Sequence, residues 1–287
     1  MVLSNNVNDI ITYLQEAGVI EPHTKIMNKM NGTTDGLVYT LTVNEEPKYV
    51  LKLDNPVNIG LAEQFHLTYR NSTLLPRLHY TDPARSFNLY AYSKGTTHYN
   101  RGSKIHWLTL LVKQLLNHYD RYDQTNTWGR IILPRQSWRE FNEISVESAR
   151  SKIGNVLPSE DYYKVKALIA RISEVSDNNK FLLHGDTGVH NFMFHESVLH
   201  AVIDPSLMVG PVIYDFTYAF CSSPDDLNLE TLLAAFGLLQ QVTMDQSRLI
   251  EEVIVQLYCR IGICVQVHPH DLEGYLKGWE YWKALLT

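Results

Sequence analysis

The residues best suited to chemistry lie between positions 184 and 204. The run His184-Gly185-Asp186 is followed by Asn191 and, after two apolar stretches, by Asp204. Carboxylate and amide oxygens suit Mg²⁺, which keeps waters and substrate phosphates as its other ligands. Phosphoryl transfer also needs a carboxylate that orients the attacking hydroxyl and accepts its proton. The group therefore indicates magnesium-assisted phosphoryl transfer.

The spacing of this group predicts how it is assembled. The apolar stretches Phe181–Phe194 and Val198–Ile203 flank the polar run His195-Glu196-Ser197, a pattern typical of a β-hairpin. A tight turn between strands of similar length returns the chain to its starting level, so the two aspartates and the asparagine should lie together. An isolated His-Gly-Asp is more often a turn with a capping aspartate. The compound pattern favours a site.

The first ninety or so residues read as a small α+β lobe. Apolar residues at helical spacing predict an opening helix before Gly18, and turn-rich runs separate segments of strand character. The expected strands are Lys25–Met30, Leu37–Val43, Tyr49–Leu53, Leu75–Tyr80 and Phe87–Tyr92, with a helix over 59–70. The first three strands should form an antiparallel meander. A polar connector at Ser93-Lys94 marks the predicted boundary between lobes at 1–93 and 94–287.

The second lobe reads as mostly helical apart from the hairpin. The expected helices are Trp107–Tyr119, one that begins behind Pro158-Ser159, Leu227–Val242, Gln246–Ile263 and Asp271–Leu286. The fold class is therefore α+β, with an antiparallel N-terminal sheet and a helical C-terminal lobe that carries the catalytic residues and binds the acceptor.

These features together resemble the aminoglycoside phosphotransferase and choline kinase-like families, relatives of the protein kinases, over about residues 25–220. The resemblance implies a two-lobed protein-kinase-like fold that binds ATP or GTP with Mg²⁺. It gives Asp186 the catalytic role and makes Asn191 and Asp204 the metal ligands. Asp215, after Gly210, would brace the catalytic loop.

The resemblance also implies a nucleotide site in the first lobe. Lys52, in Val50-Leu51-Lys52, would contact the α and β phosphates, and Glu63 on the following helix would hold it in place. A strand lysine or a helix glutamate alone is usually a solvated side chain. The remaining implied nucleotide-binding residues are Gly32 and Gly36 over the phosphates, Tyr90 behind the base, and the Ala91 carbonyl and Ser93 amide facing adenine.

Composition narrows the possible functions. The 287 residues are 45% hydrophobic and 20% charged, as in ordinary globular proteins, and the net charge of −6 offers no basic field for nucleic acid.

The cysteines Cys221, Cys259 and Cys264 show no paired spacing that would indicate a zinc site or disulfides. No signal segment or membrane span is recognised, so a cytoplasmic enzyme is expected. Nothing indicates an oligomeric state.

Three functions remain open at this point: a small-molecule kinase, a catalytically silent nucleotide-binding regulatory protein, and a protein kinase. Pro205 stands where protein kinases carry Phe-Gly, and no Ala-Pro-Glu follows, which disfavours the third. By resemblance the acceptor would be an aminoglycoside or another antibiotic, implying antibiotic resistance, with an amino alcohol or sugar metabolite next. Asp225, Asp226 and Glu230 could meet a polycation, or could simply form a solvated acidic loop.

Overall fold

The computed structural model describes residues 6–30, 36–97, 99–175 and 179–286. The chain divides into two compact units, Met1–Lys94 and Gly95–Thr287. Each unit has its own secondary structure and is described by itself. No helix in the described ranges is both long enough and apolar enough to cross a lipid bilayer.

The first unit is built on an antiparallel sheet. Its elements are α1 (Val7–Glu16), β1 (Lys25–Met30), β2 (Leu37–Val43), β3 (Glu46–Leu53), α2 (Pro56–Thr68), β4 (Leu78–Thr81) and β5 (Phe87–Ala91). The strand order is β1-β2-β3-β5-β4, and every neighbouring pair is antiparallel. The predicted meander is confirmed. The predicted fourth strand is shorter than expected, and α2 starts three residues earlier.

Local sequence explains where these elements begin and what they bury. The Asn6 side chain accepts a hydrogen bond from the Asn8 amide at the start of α1, and Asn55 does the same for Asn58 at the start of α2. Pro56 occupies the first turn of α2, where no amide hydrogen is required. The apolar face of α1 packs with strand residues in one core, whose members include Ile10, Leu14, Leu41, Leu51 and Leu89.

The second unit is mostly helical. Its elements are α3 (Lys104–Gln114), β6 (Gly129–Arg130), α4 (Trp138–Ile153), α5 (Ser159–Val175), β7 (Phe181–Leu183), β8 (Phe192–His195), β9 (Val198–Val202), β10 (Met208–Gly210), α6 (Val212–Cys221), α7 (Leu229–Phe236), α8 (Gln246–Val267) and α9 (Leu272–Ala284). One small sheet has the order β6-β10-β7, and β8 pairs with β9 in another.

The helix predicted over Leu227–Val242 is too long. The Asn228 side chain caps the Thr231 amide, so α7 begins at Leu229, and it ends before Gly237. Glycine has among the lowest helix propensities, which accounts for the stop. The helices over 138–153 and 212–221 were not singled out from the sequence, and the second of them carries Asp215 and Tyr218.

The long helix α8 forms the centre of the second unit. Its buried residues include Val253, Leu257 and Ile261, and it packs against α4, α5, α6 and α9. Helix α4 comes so close that a Cβ at Gly262 would lie 2.9 Å from the Ala149 Cβ. Helix α6 also packs against α8, so α4 and α6 share α8 as a neighbour.

Candidate active site

The predicted hairpin is present and brings its two ends together. Glu196 and Ser197 form the turn, both with positive φ angles of 51° and 64°, and His195 pairs with Val198 across it. Two residues with positive φ are typical of the turn that matches the twist of tight hairpins. At the other end, the Ile203 amide donates to the Asn191 carbonyl at 2.9 Å. Asp204 follows directly, so it lies next to Asn191 as expected.

The Asp186 carboxylate is surrounded by hydrogen-bond donors. Its Oδ2 atom accepts from Asn191 Nδ2 at 3.0 Å and lies 3.2 Å from His190 Nε2. The Tyr218 hydroxyl, on α6, also acts on this carboxylate. Burial works to raise the pKa of Asp186, but His190 and the Tyr218 hydroxyl outweigh it and hold the pKa well below its usual value. Asp186 is therefore a carboxylate at neutral pH.

His184 connects the loop that carries Asp186 to Ile203, which directly precedes Asp204. Its ring is buried; Nδ1 accepts from the Asp186 amide at 3.2 Å, and Nε2 lies 3.0 Å from the Ile203 carbonyl. Since Nδ1 is an acceptor, the proton resides on Nε2 and is donated to Ile203. Burial lowers the pKa of His184 to about 4, so the ring stays neutral. These contacts give this histidine a structural role.

Asp215 braces the loop that carries Asp186. It is fully buried; its Oδ2 atom accepts from the Tyr119 hydroxyl at 2.7 Å, and its Oδ1 atom accepts from the Gly185 amide at 3.1 Å. Its carbonyl accepts from the Thr187 hydroxyl at 2.7 Å. Burial raises the pKa of Asp215 to about 7, against the opposing hydrogen bonds from Tyr119 and the backbone. These contacts match the bracing role implied for Asp215.

Gly185 cannot be replaced without moving this loop. Its φ is +76°, and a Cβ built there would lie 2.2 Å from the Ser206 carbonyl oxygen. Only glycine combines this backbone conformation with so close an approach. The loop at 184–186 therefore packs directly on the segment that follows Asp204.

The predicted metal ligands are Asn191 and Asp204. Both hydrogen bonds of Asn191 Nδ2 go to Asp186, to its carbonyl at 2.9 Å and its Oδ2 at 3.0 Å. This directs the Asn191 Oδ1 atom away, and it accepts no hydrogen bond from any described residue. Across the described ranges, no cluster of three His, Cys, Asp or Glu side chains could hold a metal. Amide and carboxylate oxygens are ligand types that Mg²⁺ accepts, and Mg²⁺ binding by Asn191 and Asp204 stays a prediction.

Lys52 and Glu63 both lie in the first unit. Lys52 is half-buried on β3, opposite Val38 of β2 and Asn88 of β5. The Glu63 carboxylate, on α2, lies 3.7 Å from the Arg85 guanidinium. The pairing of Lys52 with Glu63 stays a prediction, and Arg85 is a second cation available to Glu63. Gly36 directly precedes β2, whereas Gly32 falls outside the described residues.

Tyr90, Ala91 and Ser93 lie at the end of β5 and just beyond it. Tyr90 is buried, and its hydroxyl accepts from Asn88 Nδ2 at 2.9 Å. The Ala91 amide donates to the Arg77 carbonyl at 2.8 Å, so that amide is used within the sheet. Ser93 is half-buried after the strand has ended. Contacts of these three residues with a base stay predictions.

The sequence reasoning missed two tyrosines at the site, Tyr119 and Tyr218. Tyr218 follows Asp215 by three residues, which places it on the same side of α6, one turn further on. That spacing was a usable signal once a helix was assumed there. Tyr119 lies almost a hundred residues before its partner Asp215, and no local pattern connects them.

Comparisons with known proteins agree with this architecture at the level of fold. No family model matches the chain, and no curated protein is significantly similar to it in sequence. The crystal structure of aminoglycoside phosphotransferase APH(4)-Ia is similar with a TM-score of 0.57 and 14% identity, over 98% of both chains. A choline/ethanolamine kinase family protein from Mesorhizobium loti has a TM-score of 0.60 and 12% identity, over 98% of this chain and 94% of the other.

A choline kinase from Cryptosporidium parvum Iowa II is also similar, with a TM-score of 0.58 and 10% identity over 97% of this chain and 95% of the other. Variants of APH(4)-Ia are described in ternary complexes with hygromycin B and ADP or AMP-PNP. The predicted resemblance and fold class are therefore confirmed. The chain has the protein-kinase-like fold of these enzymes.

Proposed function

We propose that this protein is a small-molecule kinase that transfers the γ-phosphate of ATP to a hydroxyl group. The observation that carries the proposal is the setting of Asp186, an ionised carboxylate beside Asn191 at the mouth of a hairpin that ends in Asp204. Phosphoryl transfer depends mainly on positioning and charge, and this arrangement supplies both. The similarity of fold to aminoglycoside phosphotransferases and choline kinases supports it.

Asp186 orients the acceptor hydroxyl in this proposal. A carboxylate with a lowered pKa is a weak base in the ground state, so its first task is to align the hydroxyl with the γ-phosphorus. It accepts the proton as the new oxygen–phosphorus bond forms, when the hydroxyl becomes more acidic. His190 and Asn191 hold the carboxylate in place.

The remaining predicted residues serve the nucleotide. Asn191 and Asp204 would hold Mg²⁺, which neutralises phosphate charge when bound. Lys52 contacts the α and β phosphates, and Glu63 orients it. Gly32 and Gly36 cover the phosphates. Tyr90, Ala91 and Ser93 receive the base of ATP or GTP. By resemblance alone, an aminoglycoside or another antibiotic is the first hypothesis for the acceptor, with an amino alcohol or sugar metabolite next.

A transfer assay tests this function. The purified protein is incubated with Mg²⁺ and ATP labelled on the γ-phosphate, against hydroxylated antibiotics, amino alcohols, sugars and sugar acids. We expect ADP release and label in a low-mass product, both lost in Asp186→Asn and strongly reduced in Lys52→Ala. Label in added casein or in the chain itself, with no small-molecule product, would contradict the proposal.

A further inference from the structure

A small cleft borders the catalytic residues of the second unit. It has a volume of about 290 Å³ and is enclosed by α4, α6, α8 and the segment that follows β6. That volume lies at the lower end of small-molecule sites, which are commonly about 300–1,000 Å³. The cleft therefore suits a compact metabolite.

Two of its lining residues connect it to the site. Tyr218 lines the cleft, and a Cβ built on Gly188, two residues after Asp186, would lie 3.4 Å from its ring. Arg130 also lines it, and its guanidinium donates to Ser206, two residues after Asp204. Residues of the cleft thus contact the segments at both ends of the hairpin.

The charge of the cleft is strongly one-sided. Its lining contains Arg130, Arg135 and Lys152 but no Asp or Glu. All three cations are half-buried, and none makes an ion pair with a residue in the described part of the chain. Three like charges kept together without counter-charges favour an anion, because a bound anion relieves their mutual repulsion.

Asn142 adds a polar group to the cleft. It lines the cleft from α4, and its side-chain amide makes no hydrogen bond with any described residue. Its amide atoms are not among the fully buried atoms of the described residues, so they are reached from the cleft. A polar ligand there could form hydrogen bonds with this amide.

The rest of the wall is aromatic. The Tyr214 ring lies 5.5 Å from Phe141 and 5.7 Å from Tyr218. All three residues line the cleft. Aromatic surfaces of this kind hold the apolar faces of a carbon skeleton, while a few polar groups fix its orientation.

The three acidic residues that could meet a polycation already make other interactions. Asp225 pairs with Arg101 at 2.5 Å, and Asp226 accepts from the Lys104 amide at 3.2 Å. Glu230 lies in the first turn of α7, where a carboxylate stabilises the helix. None of the three lines the small cleft.

We propose that the acceptor is a small hydroxylated anion, bearing a carboxylate or phosphate group, and that Arg130, Arg135 and Lys152 bind that group with Asn142. This inference rests on the proposed function. The acceptor oxygen bonds to the γ-phosphorus of ATP, the bond from that phosphorus to the β-phosphate oxygen breaks, and ADP leaves. The hydroxyl proton passes to Asp186 and then to water. A polycation such as an aminoglycoside is disfavoured.

Matched acceptors test the charge preference. The first set shares a three-carbon skeleton: glycerol 3-phosphate carries a phosphate, glycerate a carboxylate and serinol an amine, while glycerol is neutral. Glucose 6-phosphate, gluconate, glucose and glucosamine form a second set. We expect transfer to anionic members at a kcat/KM about tenfold or more above the neutral and cationic ones. The phosphate and carboxylate arms show which anion the cleft takes.

Charge reversal locates the preference in the cleft. Arg135→Glu and Lys152→Glu should raise KM for the anionic acceptor about tenfold or more, with KM for ATP unchanged. Lys152→Arg should restore binding, because it keeps the charge. The matched control is Lys164→Glu, an exposed residue of α5 outside the cleft, which should change neither constant. An unchanged KM for ATP also shows that the variants are folded.

Acceptor binding, followed by thermal shift with glycerol 3-phosphate and gluconate, separates this inference from the proposed function. Binding that Lys152→Glu abolishes, with no transfer to any acceptor, would overturn the kinase proposal and leave the anion site. Preferred transfer to neutral or amine-bearing acceptors would overturn the anion site and leave the kinase. An absence of anion binding would also overturn the anion site.

Discussion

Two clefts of the second unit lie along the same helices, α6 and α8, and differ in how their charges are used. The larger, about 550 Å³, contains Arg171 and Arg248 together with Asp245, Glu251 and Glu252, two arginines against three carboxylates, for a formal charge of −1. The smaller, about 290 Å³, contains three cations and no carboxylate, for a formal charge of +3.

The pairing within the two clefts differs as well. In the large cleft Arg171 lies 2.6 Å from Glu251, and Arg248 lies 2.9 Å from Glu252. Its buried atoms without hydrogen bonds are one donor, Arg248 Nε, and one acceptor, Gln241 Oε1. Charges already paired within the protein stabilise it, whereas the unpaired charges of the small cleft remain available to a ligand. Size alone would favour the large cleft as a ligand site.

The largest expected effect is that of replacing Asp186, which lies near Tyr218 of the small cleft. Asp186→Asn should lower turnover by about 10²–10⁴ with Mg²⁺-nucleotide affinity largely kept, because its interaction matters mainly in the transition state. Asp204→Asn should weaken nucleotide binding as well. Calorimetric titration of Mg²⁺-nucleotide, paired with turnover, distinguishes them. Glu251→Gln in the large cleft is the control and should leave turnover intact; a comparable loss there would invalidate the comparison.

Arg248→Met should show that the large cleft serves stability. The side chains of Arg248 and Glu252 are 15% and 12% exposed, so removing one leaves a largely buried, unpaired charge. We expect a loss of roughly 3 kcal/mol in the free energy of unfolding, measured by urea denaturation, with acceptor KM unchanged. Replacing both partners by apolar residues should recover much of it. A raised acceptor KM would instead place the acceptor in the large cleft.

Tyr218→Phe should have an intermediate effect at the boundary of the small cleft. Removing a hydroxyl that favours the ionised form of Asp186 should lower kcat by roughly tenfold, less than in Asp186→Asn. The Tyr218 hydroxyl lowers the pKa of Asp186, so its removal raises that pKa and moves the acidic limb of the pH–rate profile to higher pH. If the acidic limb of the pH–rate profile does not move, Tyr218 does not act on Asp186 during catalysis. Tyr163→Phe, at an exposed position, serves as the control.

The smallest effect is expected from Arg171→Ala in the large cleft. The Arg171 side chain is 60% exposed, and such surface ion pairs contribute about 0–1 kcal/mol. The free energy of unfolding should change by no more than that, and turnover and acceptor KM should stay as in the parent. A tenfold change in acceptor KM would show that the large cleft participates in binding.

Much of the first unit and the catalytic hairpin could be predicted from the sequence. Alternating apolar residues and turn runs locate β1 to β3 and the hairpin of β8 and β9, since these features depend on neighbours in the chain. The overlong helix predicted over 227–242 failed because Gly237 was given too little weight. Helices α4 and α6 were not singled out, and with them the walls of the small cleft were missed.

What the sequence determined by itself is local: Asp186 and Asn191 are five residues apart, and a two-residue turn returns Asp204 to their side. The tertiary structure alone decided what surrounds them. Arg130, Asn142 and Lys152 share one cleft with Tyr218 because α4 and α6 both pack against α8. That meeting depends on side-chain packing between segments about a hundred residues apart, which leaves no periodic trace in either segment. The charge of the small cleft is therefore a property of the fold.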